Sequence, residues 1–387
     1  MPGPSATLER EWSLLLAACS ASPPEEKLTR IRKLLQQPVQ WKALFDLADR
    51  HGAQPLLYQT LSGFEDAIPP EAMGSLKQSY QTNLHKALLL SRELIRIVAS
   101  LTARGIEVMP YKGPALAEIA YGDIALRQAG DIDLLIHPQD LPRIRDVVGE
   151  LGYRPQLALS DAEERAYLKS GYECAFDGSA GPNLLELQWA IQPRFYAIDF
   201  AMNDLFRRAV TVPVAGQGMK TPSPSDLLLV LSAHAAKHVW ARLVWLCDIA
   251  RLMSLPDLDW TRIGSQARDL GVVRILRVTM LAANRLLGAV IPAAAQVNLP
   301  EDTAAQVLVE EIQAHIVSED PYDVESLAYF RLMMRLRERQ SDRLRFAQRL
   351  VLTPGPGEWQ TVRLPRPLFP LYRIVRLSRL AARLVRA

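Results

Sequence analysis

Cysteine is scarce in this chain. Cys19, Cys174 and Cys247 are far apart and odd in number, which excludes a disulfide framework and a cysteine-based metal knuckle. Long apolar runs are also missing, and nothing approaches the roughly 18–20 residues needed to span a bilayer. The stretch from Met1 to Trp12 carries Glu9 and Glu11 in place of a basic-then-apolar leader. These absences predict a soluble, cytoplasmic protein. No internal repeat or low-complexity tract is present. Acidic residues are absent after Glu358, where seven arginines follow: Arg363, Arg366, Arg373, Arg376, Arg379, Arg383 and Arg386. The formal net charge is +3, so these seven leave about −4 for the first 358 residues. That body cannot be a general nucleic-acid binder on charge alone.

What is present is ordinary globular composition, 49% hydrophobic and 22% charged, in 387 residues. This excludes wholesale disorder and predicts two or three domains. Residues 1–105 read as an N-terminal helical region, with Leu28, Ile31, Leu34 and Leu35 at helical spacing. The texture changes at 106–215, where Ile106–Pro110, Gly130–His137 and Asn183–Trp189 read as strands among short helices. The expectation is a small α/β unit of three to five strands in a mixed sheet. Helix returns over 216–352, with Ser225 as the expected N-cap of its first member. A Pro/Gly linker and an arginine-rich amphipathic tail occupy 353–387.

The sharpest local feature is Asp131-Ile132-Asp133. On a strand, residues i and i+2 share a face, so two carboxylates stand side by side within an apolar run. Either the strand end is solvated, or a divalent cation offsets the repulsion. Mg²⁺ suits the second case, because it takes one or two carboxylates plus substrate phosphate oxygens. Upstream, Lys112-Gly113 lies between a strand and a helix, where backbone N–H groups can approach phosphate. Downstream, Glu186 alternates with Leu185 and Leu187 and would add a third carboxylate from a neighbouring strand, placed to take a proton from an attacking hydroxyl. Phosphoryl-type transfer needs this set of groups.

The blocks Tyr111-Lys-Gly-Pro-Ala-Leu, Tyr121-Gly-Asp-Ile-Ala-Leu-Arg127, Asp131-Ile-Asp-Leu-Leu-Ile and Leu151-Gly-Tyr153 occur in this order. Leu185-Glu-Leu-Gln-Trp189, His234-Ala-Ala-Lys-His238 and Trp245-Leu-Cys-Asp-Ile-Ala250 follow. Together they resemble the uncharacterised bacterial nucleotidyltransferase-like family of the polymerase-β superfamily. The resemblance extends to Trp41 through Tyr58 and to Tyr372 onward. It implies an α+β fold: a polymerase-β-like unit with a small mixed sheet, flanked by N- and C-terminal helical regions. It also implies transfer of a nucleoside monophosphate from an NTP, with release of pyrophosphate. Asp131, Asp133 and Glu186 match the metal-binding carboxylates, for Mg²⁺ with Mn²⁺ as substitute, and Lys112-Gly113 matches the nucleotide loop. Two departures stand out. Pro114 follows Gly113 and removes an N–H donor and a hydroxyl, and Gln188 stands where relatives often have histidine. Some relatives occur with enzymes that modify ribosomal peptides, so the acceptor is either a small molecule or a peptide.

The flanking residues leave alternatives open. Arg127 could pair with phosphate or hold an aspartate. His234 and His238 share a helix face beside Lys237; they read as phosphate or base contacts, as a buried core pair, or as two ligands of a zinc site lacking the others. Asp248, in an apolar helix, needs a partner; Arg242 or Lys237 could supply it, or Asp248 could contact nucleotide. His51, His85 and His315 are expected in bland positions. In the tail, Arg373, Arg376, Arg379, Arg383 and Arg386 form one helical face, with Ile374, Leu377, Leu380, Ala381 and Leu384 on the other. Such a helix either packs on its apolar face with solvated arginines or contacts an acidic partner, a membrane surface or nucleic acid. The rival to an enzyme is a binding protein that has lost catalysis. A third reading is AMP transfer onto a protein toxin or tRNA.

Overall fold

The computed structural model describes residues 8–157, 159–178, 181–318, 326–362 and 364–386. It is an α+β structure in which helices surround one small mixed sheet. Five strands lie in the order β1-β2-β5-β4-β3: β1 Val108–Pro110, β2 Asp131–Ile136, β3 Arg154–Pro155, β4 Glu173–Gly178 and β5 Gly181–Gln188. The central pair β2–β5 is parallel and every other pairing is antiparallel. A separate hairpin, β6 Val210–Val214 with β7 Gln217–Thr221, packs beside β1.

The period-2 alternation of the central strands divides the sheet into two chemically different faces. Ile132, Leu134, Ile136, Leu185 and Leu187 point into one apolar core. There they meet Leu90, Leu94, Ile97 and Leu101 of the long helix Pro70–Thr102, and Ile144, Val147 and Val148 of Leu141–Glu150. Asp131, Asp133, Glu186 and Gln188 alternate with those residues and so occupy the opposite face. A one-residue slip in β2 or β5 would drive the carboxylates into the core, so this apolar surface fixes the register of the site.

A second, larger core joins the helices before the sheet to those after it. Leu44, Leu57 and Leu61 pack in the same cluster as Leu231, Leu246, Ile249 and Ile275. The first helix after the hairpin is Pro224–Lys237, and its N-cap is Ser223, whose hydroxyl accepts from Asp226 N. The expectation of Ser225 is corrected: Pro224 supplies the first helical residue, where its missing N–H costs nothing.

Candidate functional site

Strand register brings the acidic residues together. Asp133 lies opposite Glu186 on the parallel pair, and Gln188 lies opposite Glu173 on β4. Gln188 is buried and organises the cluster. Its side-chain carbonyl accepts from the Tyr111 hydroxyl at 2.6 Å. Its amide nitrogen donates to Glu186 at 2.8 Å, Asp133 at 3.2 Å and Glu173 at 3.3 Å. Asp133 is only 2% exposed, and its Oδ1 also accepts from Lys112 Nζ at 2.9 Å. Its second oxygen, Oδ2, is buried without a hydrogen-bond partner. A buried carboxylate oxygen left unpaired is costly and calls for a bound counterpart.

The protonation equilibria report the same crowding. Burial pushes Glu186 up to about 8, and the Asp133 and Glu173 carboxylates add to the shift. Asp131 is raised by burial and by Asp133, and Glu173 is raised by burial. Burial alone would lower Lys112, but the Asp133 carboxylate and the Tyr111 hydroxyl outweigh it and hold the ammonium charged. The cluster therefore carries more negative charge than its one bonded cation offsets, and it would gain from a positive guest.

Lys112 is the N-cap of the helix Gly113–Tyr121, and Gly113 adopts φ +55°, in the left-handed region. A Cβ there would sit 3.4 Å from the Asp131 carbonyl, so a side chain would strain the turn that brings Lys112 onto β2. Across the cavity stand His234 and Lys237, from the end of Pro224–Lys237, and His238 just beyond it. Both imidazoles pack on Trp245 at 5.3 Å, and Lys237 lies 5.3 Å from the centre of the Tyr172 ring. Burial, reinforced by Lys112 for His234 and by Lys237 for His238, lowers both histidines, His238 to about 3. They are neutral at physiological pH. Burial also lowers Lys237.

These groups enclose a cavity of about 410 Å³, lined among others by Lys112, Arg127, Asp131, Asp133, Glu186 and Lys237. A model for an uncharacterised nucleotidyltransferase family matches residues 37–288, the helices and the sheet that form this cavity. The chain belongs to that nucleotidyltransferase family. No curated protein matches it. Two solved structures are similar to parts of it. The antibiotic-resistance factor ANT(2'')-Ia is 17% identical over 51% of this chain and 92% of its own, with a TM-score of 0.30. An antigenic nucleotidyltransferase-like protein from Paracoccidioides brasiliensis is 16% identical over 55% of this chain and 96% of its own, with a TM-score of 0.33. Likeness of that size carries no argument about activity.

Within this family member, the expected partner of Asp248 is corrected. Neither Arg242 nor Lys237 holds it. Arg127 Nε lies 3.1 Å from both of its oxygens, and the Tyr121 hydroxyl donates to Oδ1 at 2.9 Å. Both charged groups are buried, so the pair joins the strand-bearing unit to the helix Leu243–Met253. Asp248 does not line the cavity, whereas Arg127 does. Of the expected site residues, Gly113 is the other that shapes the cavity from behind. The sequence reading missed Glu173, Tyr172 and Tyr111, and it undervalued Gln188. Only strand pairing brings Glu173 into place, and β4 showed no clear alternation. The buried Gln188 carried a usable signal: a polar residue on the same strand face as Glu186.

Among the described residues, no three His, Cys, Asp or Glu side chains form a ready-made metal cage. The donor set is Asp131, Asp133 and Glu186 on adjacent strands, with Asp133 Oδ2 unpaired. It fits a hard cation that takes one or two carboxylates and completes its shell with phosphate oxygens and water.

Proposed function

We propose that this protein transfers a nucleoside monophosphate from an NTP to a hydroxyl acceptor. The acceptor oxygen forms the new bond to the α-phosphorus, the bond from that phosphorus to the bridging oxygen breaks, and pyrophosphate leaves. The observation that carries the reading is the buried, unpaired Asp133 Oδ2 beside Asp131 and Glu186, in a cavity that Lys112, Arg127, Lys237 and Arg242 also line. Asp131 and Asp133, with Glu186, would hold Mg²⁺, or Mn²⁺ in its place, which supplies electrophilic activation of the phosphate.

The chain's own residues account for the rest. Lys112, Arg127 and Lys237 offset triphosphate charge in a site where burial strengthens each contact. Arg127 is fixed through Nε to Asp248, and its terminal nitrogens have no hydrogen-bond partner among the described residues, so they are available to phosphate. The neutral His234 and His238 offer hydrogen bonds rather than charge, and Trp245 and Tyr172 offer ring faces to a base. Glu186, in its ionised form, either receives the proton of the acceptor hydroxyl or helps hold the cation that lowers that hydroxyl's pKa. Pro114 removes one helix-terminal donor, and Lys112 supplies that compensation electrostatically.

The acceptor, a small molecule or a peptide, would approach through the adjoining groove of about 640 Å³. It shares Gln128, Ala129, Gly130 and Arg242 with the first cavity and is otherwise walled by polar residues such as Ser79, Thr82, Asn83 and Lys86. The test is thermal unfolding with each of the four NTPs, with and without Mg²⁺. A donor at about 100 times its dissociation constant should stabilise by roughly 2.7 kcal/mol. Loss of that shift in Asp131→Asn/Asp133→Asn supports the reading. No shift with any NTP in folded wild-type protein would overturn it.

A further inference from the structure

In the C-terminal helix Tyr372–Arg386 part of the arginine face turns inward. One reading of its spacing packs the apolar face on the body and leaves the arginines in solvent. Instead Tyr372 and Arg376 are buried, and Arg379 turns in beside them. The cause is Glu358, which is fully buried and ends the acidic part of the chain. It takes Arg379 at 2.6 Å and Arg376 at 3.5 Å, while Arg376 Nε donates to the Leu350 carbonyl at 3.1 Å. A buried carboxylate without cations would be prohibitive, so it draws Arg376 and Arg379 in. Arg383, Leu384 and Arg386 lie outside the residues whose side chains are described.

The apolar face is consequently left outside. Ile374 is 61% exposed and Leu377 43%, and Leu368 and Leu371 extend the same ridge back through the preceding turn. The described residues expose fifteen large apolar side chains, and eight of them fall between 344 and 377. This concentration lies in one stretch of chain whose helices pack on one another, and exposed apolar side chains so gathered favour a surface that is covered. Two clefts beside this layer share Lys169 and Arg194, and Arg165, Arg349, Arg366 and Arg373 complete their cationic lining. Among the described residues, only Arg349 of these six has an ion-pair partner, Asp199 at 2.7 Å.

We infer that this layer docks on an anionic lipid surface, with Leu368, Leu371, Ile374 and Leu377 inserting at the headgroup boundary and the flanking cations meeting the lipid phosphates. Charge complementarity selects this occupant. A second copy would set arginine against arginine, and nucleic acid would engage the cations but leave the apolar ridge uncovered. A lipid interface satisfies both halves. No described helix is long and apolar enough to cross the membrane, so the attachment is peripheral.

Vesicle flotation tests this with the full chain. Binding to phosphatidylcholine vesicles containing about one third phosphatidylglycerol should be at least about tenfold tighter than to phosphatidylcholine alone, and should weaken with salt. Ile374→Asp/Leu377→Asp and Arg366→Glu/Arg373→Glu should each abolish binding while keeping the wild-type melting temperature and nucleotide-induced shift. Absence of binding to anionic vesicles would overturn the inference, as would wild-type binding by both variants. So would a dimer in sedimentation equilibrium that Ile374→Asp/Leu377→Asp converts to monomer, because the ridge would then cover a second copy. Polyglutamate binding as tight as vesicle binding, and insensitive to the apolar substitutions, would reduce the surface to charge alone.

Discussion

Two buried ion pairs lie near each other in this molecule, and only one is complete. Asp248 has both oxygens on Arg127 and a third bond from Tyr121. Asp133 shares one oxygen between Lys112 and Gln188 and leaves the other buried and unpaired. The first arrangement satisfies what burial demands and so serves to fasten two parts of the chain. The second is short of positive charge, with Asp131, Glu173 and Glu186 crowded around it, and retains a deficit that a ligand would relieve. Substitutions at the two aspartates should therefore separate stability from binding.

The largest effect is expected at the complete pair. Asp248→Ala leaves the Arg127 guanidinium buried without its counterion, which should cost about 3–5 kcal/mol of unfolding free energy. Chemical denaturation measures this directly, and a loss under about 1 kcal/mol would show that the pair does not fasten the fold. At the incomplete pair the expectation reverses. Asp133→Asn should leave the ligand-free protein within about 1 kcal/mol of wild type, since it removes repulsion as well as the bond to Lys112. It should nevertheless abolish the roughly 2.7 kcal/mol of stabilisation by saturating Mg²⁺–NTP. Asn at 133 that kept the nucleotide shift would erase the contrast.

The same contrast explains what could be read from the sequence. The carboxylates of Asp131, Asp133 and Glu186 are legible because charge at period 2 inside apolar strands is a local signal. The strands and flanking helices were legible for similar reasons, since apolar periodicity names elements without needing their partners; the strand order and the parallel β2–β5 pairing were not. The Arg127–Asp248 pair was not, because its members are 121 residues apart and any of several cations could have served. Glu173 was hidden because its place depends on the register of β4 against β5. In the tail, periodicity showed two faces but not which would turn inward; the buried Glu358 decides that from outside the helix. Local chemistry can be read from spacing, whereas completed buried pairs are tertiary facts.

A third buried group sharpens the comparison through pH. His51 Nδ1 accepts from Leu243 N at 3.2 Å, linking an early helix turn to the start of Leu243–Met253. Burial, with Arg50 and Arg242 adding, lowers it from 6.5 to about 4. The folded state thus binds this proton less readily than the unfolded state, so stability falls as pH drops below 6.5, down to about 4. The loss should reach about 2 kcal/mol at pH 5 relative to pH 7.5. His51→Gln keeps an acceptor and should flatten that part of the pH profile. A slope unchanged in His51→Gln would assign acid sensitivity elsewhere, for instance to the neutral His234 and His238.

The smallest expected effect tests how the incomplete cluster is held in place. Gln188 can donate to three carboxylates only if its carbonyl faces away from them, and the Tyr111 hydroxyl sets that orientation at 2.6 Å. Tyr111→Phe should therefore cost about 1 kcal/mol, the usual worth of a buried hydrogen bond. The cost should vanish in a Gln188→Leu background, where there is no carbonyl to satisfy. Coupling near zero in this double-mutant cycle would mean that Tyr111 contributes only packing and that the carboxylates themselves orient the amide. Coupling near 1 kcal/mol would identify Tyr111 as a positioning residue one step behind the carboxylates. The unpaired Asp133 oxygen would then be a geometry maintained by the scaffold, ready before any cation arrives.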